Sequence, residues 1–109
     1  LRVHGADVQH FGVLRLVRVL GNKSIMMMGN HGVLVTGPTV AEAFDNLYYF
    51  ERACQTLVLA YSTGQTLSVL SDEIAEKTAQ SWEEYGGYAE AHFNQTKILM
   101  AKKDASFAA

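Results

Sequence analysis

The sequence predicts an α/β fold in which a pair of short strands is followed by three helices. Residues 24–28 (SIMMM) and 33–36 (VLVT) are apolar runs of strand length, and Asn30 and Gly32 between them favour a tight turn. Residues 40–61 then repeat apolar side chains at helical spacing, and two further helical segments follow. This order of elements is typical of one α/β domain or of a part of one.

The first predicted strand indicates a sheet with more than two strands. Residues 24–28 are apolar without alternation, which predicts a strand that is buried on both faces. A two-stranded hairpin is only marginally stable by itself, so we expect further strands before residue 1. We therefore interpret residues 1–109 as the C-terminal part of a single domain.

A helical segment precedes the strands. Within residues 6–20, Phe11, Leu14 and Val17 have helical spacing, and Gly21 follows them. The stretch VLRLVRV also alternates as a strand would, so both interpretations stay open, and we favour the helix.

The long helix has the clearest signals at its two ends. Thr39 and Glu42 are spaced as a capping box, in which each side chain accepts a hydrogen bond from the free backbone N–H of the other residue. Gly64 suits the left-handed residue that ends a helix. The apolar stripe of this helix is expected to face a core, and it consists of Val40, Phe44, Leu47, Cys54, Val58 and Tyr61.

Two shorter helices are predicted for the C-terminal part. One begins at Ser71, with two carboxylates in its first turn, and runs to Tyr85. The other covers about residues 88–103, and we expect residues 104–109 to be frayed. Residues 82–100 hold more aromatic surface than one helix face usually exposes, which predicts homo-oligomerisation through this region; the aromatic residues are Trp82, Tyr85, Tyr88 and Phe93.

Composition excludes several classes of partner. The 109 residues are 49% hydrophobic and 18% charged, with a net charge of −2. Without a basic excess, binding to nucleic acid or to an anionic membrane surface is disfavoured. No apolar run approaches the ~20 residues that a membrane span needs. The single cysteine, Cys54, cannot form an internal disulfide and suits a cytoplasmic protein.

His31 is the candidate metal ligand. A neutral imidazole at the tip of a strand turn offers a lone pair on a rigid mount, which a divalent metal ion requires. The alternative is that Asn30 and Gly32 make the turn and His31 merely occupies it. The remaining histidines, His4, His10 and His92, show none of the familiar ligand spacings, and a role at an interface or on an amphipathic helix face fits His92 better.

Glu51 falls inside the predicted apolar stripe. A buried carboxylate without a partner costs several kcal/mol or becomes protonated, so we expect Glu51 to have a partner. It could serve as an acid/base or a hydrogen-bond acceptor near the His31 turn. A structural salt bridge, for example with an arginine, or a backbone cap is the interpretation that we favour.

Residues 26–60, MMMGNHGVLVTGPTVAEAFDNLYYFERACQTLVLA, resemble the carboxyl-terminal half of the class II aldolase/adducin family. The pattern is an apolar strand, Asn30-His31-Gly32, a second strand, Gly37, a capped helix beginning TVAEAF, and Glu51-x-x-Cys54. The resemblance covers residues 19–64, and the helices after Ser71 match only in general character.

The resemblance implies a three-layer α/β/α sandwich around a mixed, largely antiparallel sheet. This chain would hold its C-terminal strand pair and three or four helices, and the assembly would be a tetramer with active sites at subunit boundaries. The histidine of this turn is the third Zn²⁺ ligand in catalytic members, so His31 would take that role. The family's His-x-His pair, acid/base carboxylate and phosphate-binding loops precede this region. The stretch VHGADVQH is not that pair, so we expect residues outside this sequence to complete the site.

The implied activity is zinc-dependent aldol cleavage, epimerisation or decarboxylation through a metal-stabilised enediolate. The substrate would be a sugar phosphate or another hydroxy-carbonyl compound. The alternative is a non-catalytic interaction module that resembles an adducin head. The sequence identifies no catalytic acid or base, and it contains no phosphate-binding glycine loop for a nucleotide cofactor.

Overall fold

The computed structural model describes residues 13–108, and these form a two-stranded antiparallel sheet, four α-helices and a 3-10 helix. In chain order the elements are α1 (Val13–Leu20), β1 (Ile25–Met28), β2 (Gly32–Val35), α2 (Val40–Ser62), α3 (Asp72–Glu83), α4 (Tyr88–Lys103) and the 3-10 helix (Ser106–Ala108). The order is the predicted one and is compatible with an α/β fold. The chain divides into two compact units, Leu1–Leu47 and Tyr48–Ala109, and α2 contributes to both. No helix of the described part is both long and apolar enough to cross a bilayer.

Strands β1 and β2 form a hairpin that pairs Ile25 with Val35 and Met28 with Gly32. Side chains alternate between its two faces, since Met26 is 6% exposed and Met27 is 41% exposed. The prediction that β1 is buried on both faces is therefore wrong for the described residues. The physical reason is that a continuous apolar run allows both faces of a strand to be buried, but it does not determine whether another element covers each face.

The end of the hairpin is fixed against the first turns of α2. The backbone N–H of Thr36 donates to the carbonyl oxygen of Ser24 at 2.8 Å, and Asn46 Nδ2 donates to the carbonyl oxygen of Thr36 at 3.4 Å. A Cβ atom built on Gly37 would lie 2.7 Å from the backbone nitrogen of Ala43. The connection therefore runs so close to the helix that only glycine fits there.

Helix α2 has the predicted ends. The backbone N–H of Glu42 donates to Thr39 Oγ1 at 3.2 Å, and the backbone N–H of Thr39 donates to Glu42 Oε2 at 3.0 Å, so the capping box is confirmed. After the helix, Gly64 has a φ of 68°, in the left-handed region that favours glycine.

The predicted apolar stripe is not the buried face of α2. Its exposed members are Val40 (73%), Leu47 (42%), Val58 (68%) and Tyr61 (67%). The buried residues of α2 are instead Ala41 and Asp45, which are four positions apart and therefore share a different face. Periodicity therefore predicts the helix correctly but not which of its faces is buried. Cys54 is half-buried and its thiol is free.

Helix α1 settles the ambiguity of VLRLVRV, because Val13–Leu20 is helical. Gly21, with a φ of 57°, follows the helix as predicted. The earlier part of the predicted helix, residues 6–12 with Phe11, lies outside the described residues.

The C-terminal helices agree closely with prediction. Ser71 caps α3 by accepting a hydrogen bond from the backbone N–H of Ile74 at 3.4 Å, and α3 ends two residues before the predicted Tyr85. Helix α4 covers the predicted residues and follows Gly87, whose φ is 90°.

The tail is ordered where fraying was predicted. Residues Ser106–Ala108 form a 3-10 helix, and the backbone N–H of Ser106 donates to Asp104 Oδ1 at 2.9 Å. Hydrogen bonds from the backbone and side chain of Ser106 hold the pKa of Asp104 below its ordinary value. An aspartate two residues before the donor is the local signal that the prediction overlooked.

Candidate functional site

The backbone conformation of the turn between β1 and β2 explains the residue types at two positions, Asn30 and Gly32. It consists of residues 29–31, and the backbone N–H of His31 closes it by donating to the carbonyl oxygen of Met28 at 3.2 Å. Asn30 has a φ of 58° and Gly32 a φ of 104°. Asparagine tolerates the left-handed region, and glycine lacks the Cβ that would clash there. The predicted backbone roles of Asn30 and Gly32 are confirmed.

The imidazole of His31 is not required by the turn. Only its backbone takes part in closing the turn, and the side chain is exposed. Any residue with an ordinary φ could occupy this position for backbone reasons alone. The ring is thus available to an external ligand. Asn30 and Gly32 on either side set the backbone conformation from which it projects.

One imidazole fits one position of a zinc site, which needs three or four protein ligands. Within residues 13–108, no group of three or more His, Cys, Asp or Glu side chains is arranged to hold a metal ion. His4 and His10 lie outside the described residues. The turn therefore supplies a single donor of the right chemistry, and any further ligands must come from elsewhere.

Glu51 is exposed, so the predicted burial of its carboxylate is wrong. Its Oε1 accepts a hydrogen bond from Gln55 Nε2 at 2.6 Å, one turn further along α2. Arg52 Nη1 donates to Gln55 Oε1 at 3.4 Å. The expectation of burial failed because the stripe that contains Glu51 faces solvent in the described structure. The partner of Glu51 is thus a side-chain amide on the same helix, and not the salt bridge or backbone cap that was predicted.

Asp45 is the residue that the sequence pattern missed. It is 7% exposed and is the one charged residue among the described residues that is buried. Asp45 also takes part in an interaction within the structure. Asp45 belongs to the same compact unit as the His31 turn. The sequence signal for this burial is that Asp45 lies four positions after Ala41, a small residue next to the capping box, so the two share one face of the helix.

His92 belongs to an aromatic cluster in the second unit. The centroid of its ring lies 4.6 Å from that of Tyr48, and the ring centroids of Tyr49 and Trp82 are 5.3 Å apart. Both pairs are nearly edge to face. Such pairs stabilise packing. Tyr48 and Tyr49 remain 37% and 47% exposed. His92 is half-buried on α4, in agreement with the amphipathic-face role predicted for it.

Comparison with known proteins finds a family model that matches a segment including the turn. The family model described as Class II Aldolase and Adducin N-terminal domain matches residues 4–58. A relative from Caulobacter vibrioides with the name "Putative aldolase class 2 protein" is 40% identical over 62 residues. A protein of Pseudomonas aeruginosa with a name of the same form is 31% identical over 70 residues. Protein hu-li tai shao of Drosophila melanogaster is 38% identical over 64 residues.

These alignments cover much of this chain and little of the relatives. They include 57%, 64% and 58% of this chain, in the order given above. They include 24%, 27% and 6% of the respective relatives, so the chain matches about a quarter of the bacterial proteins. No solved structure matches the chain.

Proposed function

This chain belongs to the class II aldolase and adducin N-terminal domain family, and we propose that it is part of a Zn²⁺-dependent carbon–carbon lyase or related enzyme. In this proposal His31 is one metal ligand. The observation that carries it is the exposed imidazole on a turn whose backbone is explained without that ring. The match over residues 4–58 confirms the resemblance that the sequence suggested for residues 19–64.

The proposed domain is a three-layer α/β/α sandwich in which the hairpin belongs to a larger, largely antiparallel sheet. The two described strands pair only with each other, and Met27 exposes 41% of its surface on the second face of β1. Apolar side chains on that face would be covered by the additional layer. The much greater length of the bacterial relatives is consistent with further strands.

The chemistry of the turn suits a shared metal site. A bound zinc ion supplies a Lewis acid that polarises substrate oxygens. The part of this chain is to present one imidazole nitrogen from a turn whose backbone conformation is set by Asn30 and Gly32. Gly37 and Asn46 hold the other end of the hairpin against α2, which limits movement of the turn. The substrate class that we propose is a sugar phosphate or another hydroxy-carbonyl compound, undergoing aldol cleavage, epimerisation or decarboxylation.

Metal content of the purified full-length protein tests this proposal, because this chain supplies one of the ligands and residues outside it supply the others. We expect about one zinc ion per chain in the wild type by elemental analysis and a large loss in His31→Ala. Asn30→Gly is the matched control, because glycine keeps the left-handed turn and only the neighbouring side chain is lost. Equal zinc content in wild type and His31→Ala would overturn the assignment.

A second candidate is a non-catalytic interaction module resembling an adducin head. The description of the matching family includes adducin, and the 38% identity to protein hu-li tai shao over 64 residues favours this branch as well. A folded wild-type protein that binds no zinc and cleaves no sugar phosphate would support the module over the enzyme.

We further propose a homo-oligomer, a tetramer, that associates through residues 82–100. Trp82, Tyr85 and Tyr88 are 58%, 67% and 59% exposed, which is a large aromatic surface for a helical pair. A cytoplasmic location is proposed from the lone free thiol of Cys54.

A further inference from the structure

Helix α4 has two faces, and only one is covered within its own unit. Its inner face is half-buried and consists of Ala89, His92, Phe93 and Thr96. On another side lies a row of exposed residues that we name the outer stripe: Tyr88, Ala91, Gln95, Ile98 and Lys102. These positions alternate steps of three and four, which is the spacing of a helix–helix seam. Tyr88 and Ile98 are 59% and 51% exposed.

The outer stripe is complementary to itself when one helix is turned end for end. If two copies of α4 pack antiparallel with a two-fold axis at Gln95, Ala91 lies level with Leu99 of the second copy and one residue from the level of its Ile98. A small residue then lies opposite a large one, as interdigitating packing requires. The same register places Tyr88 opposite Lys102 of the second copy, where the ammonium group can lie over the ring. Each contact occurs twice because of the symmetry.

The charges around α4 select the antiparallel arrangement. Glu90 lies in the first turn of α4, Glu83 and Glu84 precede the helix by five and four residues at the end of α3, and Lys102 and Lys103 lie in the last turn of α4. Antiparallel pairing brings the acidic start of each helix to the basic end of the other, whereas parallel pairing would bring like charges together. The two helix dipoles also oppose each other in the antiparallel pair.

We propose that the outer stripe of α4 binds the outer stripe of a second copy of this chain, antiparallel and centred on Gln95. This inference rests on the homo-oligomer proposed above, and it is independent of the metal site. A helix of 16 residues is about 24 Å long, so the seam alone is small for a stable interface. The exposed ring of Tyr85, whose centroid lies 5.0 Å from that of Tyr88, extends it.

Two isoleucine variants give the first test, by sedimentation velocity of the purified protein over a range of concentrations. Ile98→Glu introduces a charge into the seam and should weaken association at least about tenfold. Ile74→Glu on α3 is the matched control, because Ile74 and Ile98 are 52% and 51% exposed, and it should leave association unchanged. An equal effect of both variants would overturn the proposal.

A charge exchange tests the orientation and also guards against misfolding of a single variant. Glu84→Lys and Lys102→Glu should each weaken association, and the combination should recover the part of the loss that comes from charge pairing. In a Cys54→Ser background, Gln95→Cys should cross-link two chains on oxidation with diamide, and Asn94→Cys should not.

A monomeric wild type would contradict both the proposed oligomer and the α4 contact. An oligomer that neither Ile98→Glu nor the charge exchange alters would contradict the α4 contact alone.

Discussion

Gly37→Ala should destabilise the protein, because the new methyl group has no space beside α2. The added Cβ would lie 2.7 Å from the backbone nitrogen of Ala43 and 3.1 Å from the carbonyl carbon of Glu42. These are backbone atoms, so the start of the helix must shift to make room. Overpacking of this kind costs about 1–3 kcal/mol, and the lower chain entropy of unfolded alanine offsets about 0.4–1 kcal/mol. We expect a net loss of about 1–2 kcal/mol in the free energy of unfolding.

Thermal unfolding followed by circular dichroism measures this loss. A change of 1 kcal/mol lowers the midpoint by about 4–8 °C in a domain of this size. Gly86→Ala is the matched control, because a Cβ at Gly86 meets nothing within 4 Å and its φ is not in the left-handed region. It should be neutral or slightly stabilising. Equal midpoints for Gly37→Ala and Gly86→Ala would refute the close-approach argument.

Two further predictions concern local hydrogen bonds. Thr39→Ala removes one side of the capping box and should cost about 1 kcal/mol of stability by urea unfolding, whereas an unchanged urea midpoint would show that the box contributes nothing. The lowered pKa of Asp104 means that its stabilisation of the tail is complete above 3.8 and is lost as the pH falls through the lower folded-state pKa. The amide resonance of Ser106 should therefore titrate with a midpoint below 3.8 in the wild type and not at all in Asp104→Asn, and a midpoint at or above 3.8 would contradict this.

Local sequence signals predicted most of the elements and their ends. These signals are local, because each depends on residues that are close together in the sequence. They are the capping box of Thr39, the left-handed glycines and the acidic first turn of α3. Helix α4 covers its predicted residues for the same reason. The turn was also predictable, because the φ angles of Asn30 and Gly32 require those residue types.

Burial was harder to predict, because it depends on what lies opposite each face. The stripe with Val58 has correct helical spacing but faces solvent in the described structure, and Glu51 was misjudged together with it. The buried face carries Ala41 and Asp45, a pair without an apolar pattern. For the candidate site, sequence and structure identify one imidazole donor, since a metal site is formed by residues that are distant along the chain.

The ring nitrogens of His31 provide the most direct test of the proposed metal site. Nitrogen-15 NMR of the purified full-length protein during addition of Zn²⁺ observes them without relying on activity, and His92 in its aromatic cluster serves as an internal reference. We expect one ring nitrogen of His31 to shift until zinc saturates, while the resonances of His92 stay in place. Unchanged His31 resonances at saturating zinc would contradict its role as a ligand.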